Sequence, residues 1–219
     1  ELLRAARGVV ECSVHQSPLP EHDLYIPLMS LMHALEVTPD RISGTPYLDP
    51  QGACPAEIAA KLPRDGVPTV ALTWAGNPLH ENDHRRSIPG TLLAPLLQLS
   101  GVRFVALQKS PPVESALPTD LQQLVVDIGT CCNSFNDSAH ALRRVDLLVT
   151  VDTSVAHLAG ALGVPTLLCL PQVPDYRWGL TSATTPWYDS LTLLRQQEHG
   201  KWEGVLAQVT KKVEQLREA

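Results

Sequence analysis

The residues that could do chemistry sit where apolar runs stop. The run "LLVTV" is followed at once by Asp152, Thr153 and Ser154, with His157 about one helical turn further on. The first N–H groups of a helix lack intrahelical partners and lie at the positive end of its dipole, so hydroxyls beside them complete an anion site. A carboxylate there would repel a phosphate. Asp152 therefore suits either the helix cap or the hydroxyls of a sugar. His157 can face the same ligand or simply pack.

A second group lies in "WAGNPLHENDHRRSIPG", residues 74–90, a loop longer than is usual between a strand and a helix. Arg85, Arg86 and Ser87 stand just ahead of a helix start. Two guanidiniums and a hydroxyl in that position are suited to a diphosphate; the alternative is a solvated basic turn with Ser87 as cap. The same loop contains His80, Glu81 and His84 in the H-E-x-x-H spacing of zinc hydrolases. That chemistry needs both histidines on one helical face, and Pro78, Asn82 and Asp83 make a poor helix, so no metal site is expected. Gln108 and Lys109 follow another apolar run, where a lysine can reach phosphate or ribose or stand free in solvent. Tyr176, Arg177 and Trp178, with Trp187 and Tyr188 close behind, can form a stacking lid or plug a loop.

These groups need a scaffold that brings strand ends together. From Pro68 onward apolar runs alternate with helical patterns: strands in "TVALTWAG", "VRFVALQ", "LVVDIG", "DLLVTVD", "PTLLCLP" and "LTLLRQ", and helices over 88–99, "FNDSAHALRRV", "SVAHLAGALG" ended by Gly163, and "KWEGVLAQVTKKVEQLREA". Continuous apolar strands each followed by a helix predict a parallel sheet covered on both faces, hence an α/β, doubly wound, Rossmann-like domain over 66–219. Ligands of such sheets bind beyond the carboxyl ends of the strands. The first third is punctuated by prolines that admit only short elements, at 28–35 and 56–61. The opening reads as a helix end stopped by Gly8 and a short strand over 9–14. Residues 1–65 therefore read as an incomplete domain and a connection.

Composition narrows the partners. The 219 residues carry a net charge of -6, against the basic footprint that nucleic acid requires. The five cysteines are odd in number and without a C-x-x-C pair, which favours a reducing compartment over a disulfide framework. No apolar run is long enough to span a bilayer, and a cytoplasmic setting is expected.

"VDTSVAHLAGALGVPT" and "RRSIP" together resemble the C-terminal half of the heptosyltransferase-like glycosyltransferases, family 9, of the GT-B fold. The pattern is most similar to a bacterial branch in which such a domain follows tetratricopeptide repeats, with runs like "DLYIPLMSLMHAL", "WAGNPLHENDHRRSIP", "VRFVALQK", "PDYRW" and "PWYDSLTLLRQ". The resemblance implies two Rossmann-like domains facing a cleft, the C-terminal one gripping a nucleotide diphosphate sugar. Arg86 matches the basic residue of a K-x-W-P-like run and would contact donor phosphate; Thr153 and Ser154 with the helix end would hold the diphosphate. Asp152 would accept from the sugar, Gln108 and Lys109 would lie near the nucleoside, and His157 would line or support the pocket. Transfer would be inverting and independent of metal or other cofactor, onto a saccharide or protein acceptor. The glycine-aspartate turn that supplies the family's base has no counterpart here, so the catalytic residue is not assigned, and a binding module without transfer activity is the alternative.

Overall fold

The computed structural model describes residues 2–6, 8–13 and 21–218. Helices and strands follow in the order α1 (Leu28–Ala34), α2 (Ala56–Lys61), β1 (Thr69–Thr73), α3 (Asp83–Arg86), α4 (Ala94–Leu97), β2 (Arg103–Ala106), α5 (Thr119–Gln122), β3 (Val125–Asp127), α6 (Phe135–Leu142), β4 (Leu147–Val151), α7 (Ser154–Leu162), β5 (Thr166–Leu170), β6 (Leu191–Arg195) and α8 (Glu203–Glu218). The strands form one sheet in the order β3-β2-β1-β4-β5-β6, every neighbouring pair parallel.

Every residue of β1, β4 and β5 is buried, and alternate side chains enter different layers because successive Cβ atoms of a strand point to opposite faces. Ala71, Leu148, Leu168 and Leu170 pack against Ile58, Leu142, Leu158 and Leu162, in the layer of α2, α6 and α7. Val70, Leu72, Leu147, Val149 and Cys169 pack against Leu93, Leu96, Val205, Val209 and Val213, in the layer of α4 and α8. Each Val, Leu or Ile side chain among them stabilises the fold by about 1.5–3 kcal/mol when fully removed from water.

Helix α7 is rich in small residues, which lets its neighbours approach closely. A Cβ at Gly160 would lie 2.3 Å from the Tyr188 ring. The helix stops at Gly163, whose φ of 75° is left-handed, and Val164 N then donates to Ala159 O at 2.9 Å. The chain around Pro46 straps across this end: Tyr47 N and Leu48 N both donate to Ala161 O, at 2.9 and 3.0 Å.

Two expected elements differ. The helix anticipated over 88–99 is a 3-10 turn, Gly90–Leu93, running into the single turn of α4, because Pro89 and Pro95 cannot donate to a continuous helical ladder. Residues 9–13 carry no regular structure where a strand was expected, and Val14 lies outside the described residues. Leu48, Ile58 and Leu62, all within the segment expected to be an incomplete first domain, are buried in the layer of α6 and α7. Among the described residues no helix is long and apolar enough to cross a membrane.

Candidate functional site

The sheet reverses its strand order between β1 and β4, and a cleft of about 580 Å³ opens at the carboxyl ends of the strands on that side. Its walls come from four places: the turn after β1 (Ala75 to Pro78), the residues after β2 (Leu107 to Ser110), the loop into α6 (Cys132 to Phe135) and the start of α7 (Thr153 to Val155). Arg86 reaches in from α3, and Thr73 closes the floor.

Arg86 is held from two sides. Its Nε donates to Asp83 Oδ1 at 3.0 Å, and its Nη1 donates to the main-chain carbonyl of Asp152 at 2.8 Å, tying α3 to the corner after β4. Asp83 is only 4% exposed, and its other oxygen, Oδ2, accepts from Ser87 Oγ at 2.9 Å. Ser87 Oγ in turn accepts from Gly76 N at 3.0 Å. One buried carboxylate thus fixes the guanidinium, the hydroxyl and the turn after β1. The turn leaves no room for a side chain at Gly76, where a Cβ would meet Asp83 Oδ1 at 2.2 Å.

Gln108 performs a similar service on the other side. Its Oε1 accepts from Trp74 N at 3.1 Å and Ala75 N at 2.9 Å, satisfying two buried backbone donors that the end of the ladder leaves unpaired. Lys109 Nζ donates to the carbonyl of Cys132, joining the β2 and β3 corners across the cleft. Burial pushes the Cys132 thiol up to about 11.

The two helices that point into the cleft end differently. At α6, Ser134 Oγ accepts from Asp137 N and the Asp137 carboxylate accepts from Ser134 N, a reciprocal capping box. At α7, Thr153 is the N-cap by backbone conformation but its side chain makes no capping hydrogen bond; its hydroxyl lies 3.5 Å from Thr150 Oγ1. Ser154 is exposed at the same end. The cap position at this corner therefore falls on Thr153 rather than on Asp152, and it carries no side-chain hydrogen bond.

The structure thus brings Arg86, Gln108, Lys109, Thr153 and Ser154 to one cleft. Ser87 and Asp152 are buried behind it, the first bonded to Asp83 and the second offering its carbonyl to Arg86, while Arg85 is exposed beside it. His157 lies in a separate aromatic packing group: its ring stacks on Trp178 with centroids 5.2 Å apart, and its Nδ1 is 3.1 Å from the Tyr188 hydroxyl. Burial lowers the His157 pKa, partly opposed by the nearby Asp152 carboxylate. Of the aromatic segment, Trp178 is 2% exposed while Tyr176 and Arg177 face solvent, with the Arg177 guanidinium over the Tyr176 ring. His80 and His84 are exposed, with His80 in the turn before α3, so they do not share one helical face.

Three contributors were not anticipated. Asp83 had only been weighed as a poor helix former, though its spacing of three and four residues before Arg86 and Ser87 is a usable signal. The S-x-x-D run from Ser134 to Asp137 marks the α6 wall in the same way. Thr73 has no such signal: its hydroxyl is buried and, among the described residues, without a hydrogen-bond partner.

A parallel six-stranded sheet with helices on both faces and a polar cleft at its strand-order reversal defines a Rossmann-like α/β domain of the kind found in GT-B glycosyltransferases. Among solved structures, the chain is similar to ADP-heptose LPS heptosyltransferase II of E. coli, with a TM-score of 0.55 and 15% identity over 78% of this chain and 54% of that one. It is also similar to a family 9 glycosyl transferase from Veillonella parvula DSM 2008, with a TM-score of 0.50 and 17% identity over 86% of this chain and 58% of that one. The chain therefore spans little more than half the length of either. At these identities the likeness establishes the fold. No protein-family model matches the chain, and no curated protein matches it.

Proposed function

We propose that the cleft binds the nucleotide diphosphate sugar of an inverting, metal-independent glycosyltransferase, with residues 66–219 as the donor domain and 1–65 as the tail of a companion domain. The observation that carries this reading is the pairing of Arg86, locked by Asp83 and the Asp152 carbonyl, with the uncapped N-terminus of α7. Transfer from a nucleotide sugar builds negative charge on the departing diphosphate. A fixed guanidinium and a helix N-terminus stabilise such charge without reorganising during the reaction. Thr153 and Ser154 would donate hydroxyls to the same phosphates, and Lys109 with Gln108 would border the nucleoside. Asp152, whose carboxylate lies behind the cleft, would turn into it to accept from the sugar, and His157 would support the corner from behind through Trp178 and Tyr188. A cytoplasmic setting, a saccharide or protein acceptor and an upstream tetratricopeptide array belong to the same proposal.

Calorimetry with UDP-, GDP-, ADP- and CMP-sugars, ADP-heptose included, tests it. Binding by one donor, weakened by Arg86→Ala, is the expected result; silence across the panel removes the reading. A second reading, a module that binds nucleotide sugar or glycan without transferring it, is favoured by one observation: among the described residues lining the cleft, the charged side chains are Arg86 and Lys109, with no carboxylate to act as base. Transfer activity in the full-length protein, abolished by Asp152→Ala, excludes it.

A further inference from the structure

On the α2 side of the cleft wall, a thiol is flanked by an amine and a carboxylate. Glu57 and Lys61 stand one turn apart on α2, with Nζ and Oε1 3.5 Å from each other. Cys131, in the 3-10 turn Gly129–Cys131 after β3, lies between them: its Sγ donates to Glu57 Oε1 at 3.1 Å and accepts from Lys61 Nζ at 3.0 Å. Lys61 Nζ also donates to the Asp127 carbonyl at 3.0 Å, which holds the amine over the sulfur. The Cys131 residue is 9% exposed, whereas the Lys61 and Glu57 side chains that cover it are 35% and 66% exposed, so the pair over the sulfur itself faces solvent. All five cysteines are free thiols.

We propose that Cys131 and Lys61 form a reversible, peroxide-driven sulfur–nitrogen crosslink. The thiol proton passes through Glu57 to solvent, and the thiolate attacks one oxygen of a hydroperoxide, breaking the O–O bond. For hydrogen peroxide, the departing hydroxide takes a proton from the Lys61 ammonium and leaves as water. This leaves a sulfenic acid beside a neutral amine. The amine then attacks the sulfur; the S–OH oxygen takes a proton relayed from solvent through Glu57 and leaves as water, and the new S–N bond releases a proton to solvent. Sulfur is oxidised by two electrons and the peroxide is reduced.

The ion pair has the right polarity for the first step. The Cys131 contact and the neighbouring Glu57 keep the Lys61 pKa raised, and Glu57 is held below the usual carboxylate range by the same contacts. Lys61 therefore stays protonated beside the sulfur, and hydroxide, a much stronger base than an amine, takes its proton. Cys132 is a poor competitor, because burial holds its thiol up to about 11. The link would also reach the cleft. Residues 132–135 form its wall, the Cys132 carbonyl receives Lys109, and Gly129 packs so tightly that a Cβ there would lie 2.2 Å from the Gln108 carbonyl oxygen.

The test treats the chain with hydrogen peroxide, blocks remaining thiols, and follows intact mass and peptide maps. The expected product has lost two hydrogens, joins the peptide containing Lys61 to that containing Cys131, and reverts with a thiol reductant. Cys132→Ser should form it normally. Lys61→Gln, a change at a half-exposed helical position, should lower its yield by about tenfold or more while Cys131 stops at the sulfenic acid. Three outcomes overturn the proposal: a Cys131 that stays reduced, a disulfide between Cys131 and another cysteine as the product, or an unchanged mass loss in Lys61→Gln.

Discussion

The Asp83 carboxylate grips Arg86 through Nε at 3.0 Å and, with its second oxygen, holds Ser87 at 2.9 Å. A guanidinium aimed at a ligand is useful only if its rotamer is set in advance, since otherwise binding must order it. Asp83→Asn keeps the volume but removes the charge. It should cost about 1–3 kcal/mol of stability in urea titrations and weaken nucleotide-sugar binding about tenfold. Arg86→Lys should weaken binding comparably, because an ammonium cannot span Asp83 and the Asp152 carbonyl together.

Gln108 is buried with its Oε1 accepting from two backbone N–H groups. Gln108→Leu, similar in size, strands both donors. A loss of about 2–4 kcal/mol is expected, read as a lower denaturation midpoint with an unchanged slope.

Thr73 gives the opposite case. Its hydroxyl is buried at the cleft floor without a partner among the described residues, so Thr73→Val removes an unmet polar group at nearly constant shape. Stability should stay level or rise by about 1 kcal/mol in the same titration.

Gly160 faces the Tyr188 ring so closely that a Cβ would sit 2.3 Å from it. Gly160→Ala improves helix propensity by about 1 kcal/mol yet forces the ring away, and the clash should dominate. The melting temperature should fall, and Tyr188→Leu in the same chain should recover part of the loss.

His157 sets a pH dependence. Its pKa in the folded protein lies below the ordinary value of 6.5 because it is buried against Trp178 and Tyr188. The unfolded chain therefore binds the proton more readily. The stability that the neutral ring contributes is complete above about pH 6.5 and is lost as pH falls from there through the depressed folded value. Unfolding free energies measured across this window should slope upward with pH, and His157→Gln should flatten that part of the slope.

The sheet was legible because burial on both faces makes its central strands nearly uninterrupted apolar runs, as in "TVALT", "LLVTV" and "TLLCL", whereas the edge strand β3 is largely exposed. The segment 88–99 has helical apolar spacing without a continuous helix, because Pro89 and Pro95 break the hydrogen-bond ladder that such spacing assumes. In the cleft, residues beside a strand end could be found by position alone. Asp83 stands away from any strand end and shows only in its spacing of three and four residues before Arg86 and Ser87, through which it acts, among neighbours that spell a metal motif. The setting of His157 depends on Trp178 and Tyr188, whose distance in the chain local spacing does not bridge.

The contrast between the two helix ends has a consequence for direction. Ser134 and Asp137 spend the donors of α6 on each other and add a negative charge there, whereas α7 begins with its cap hydroxyl turned elsewhere and Arg86 beside it. The cleft therefore differs from side to side: its β4 side presents Arg86 and the α7 N-terminus, and its β3 side carries the capped start of α6, the exposed Phe135 ring at the rim and the Lys109 amine bonded to the Cys132 carbonyl. A negative charge entering the cleft is met at the β4 side by a guanidinium already fixed in place and by free helix donors, and at the β3 side by an ammonium already engaged by a carbonyl.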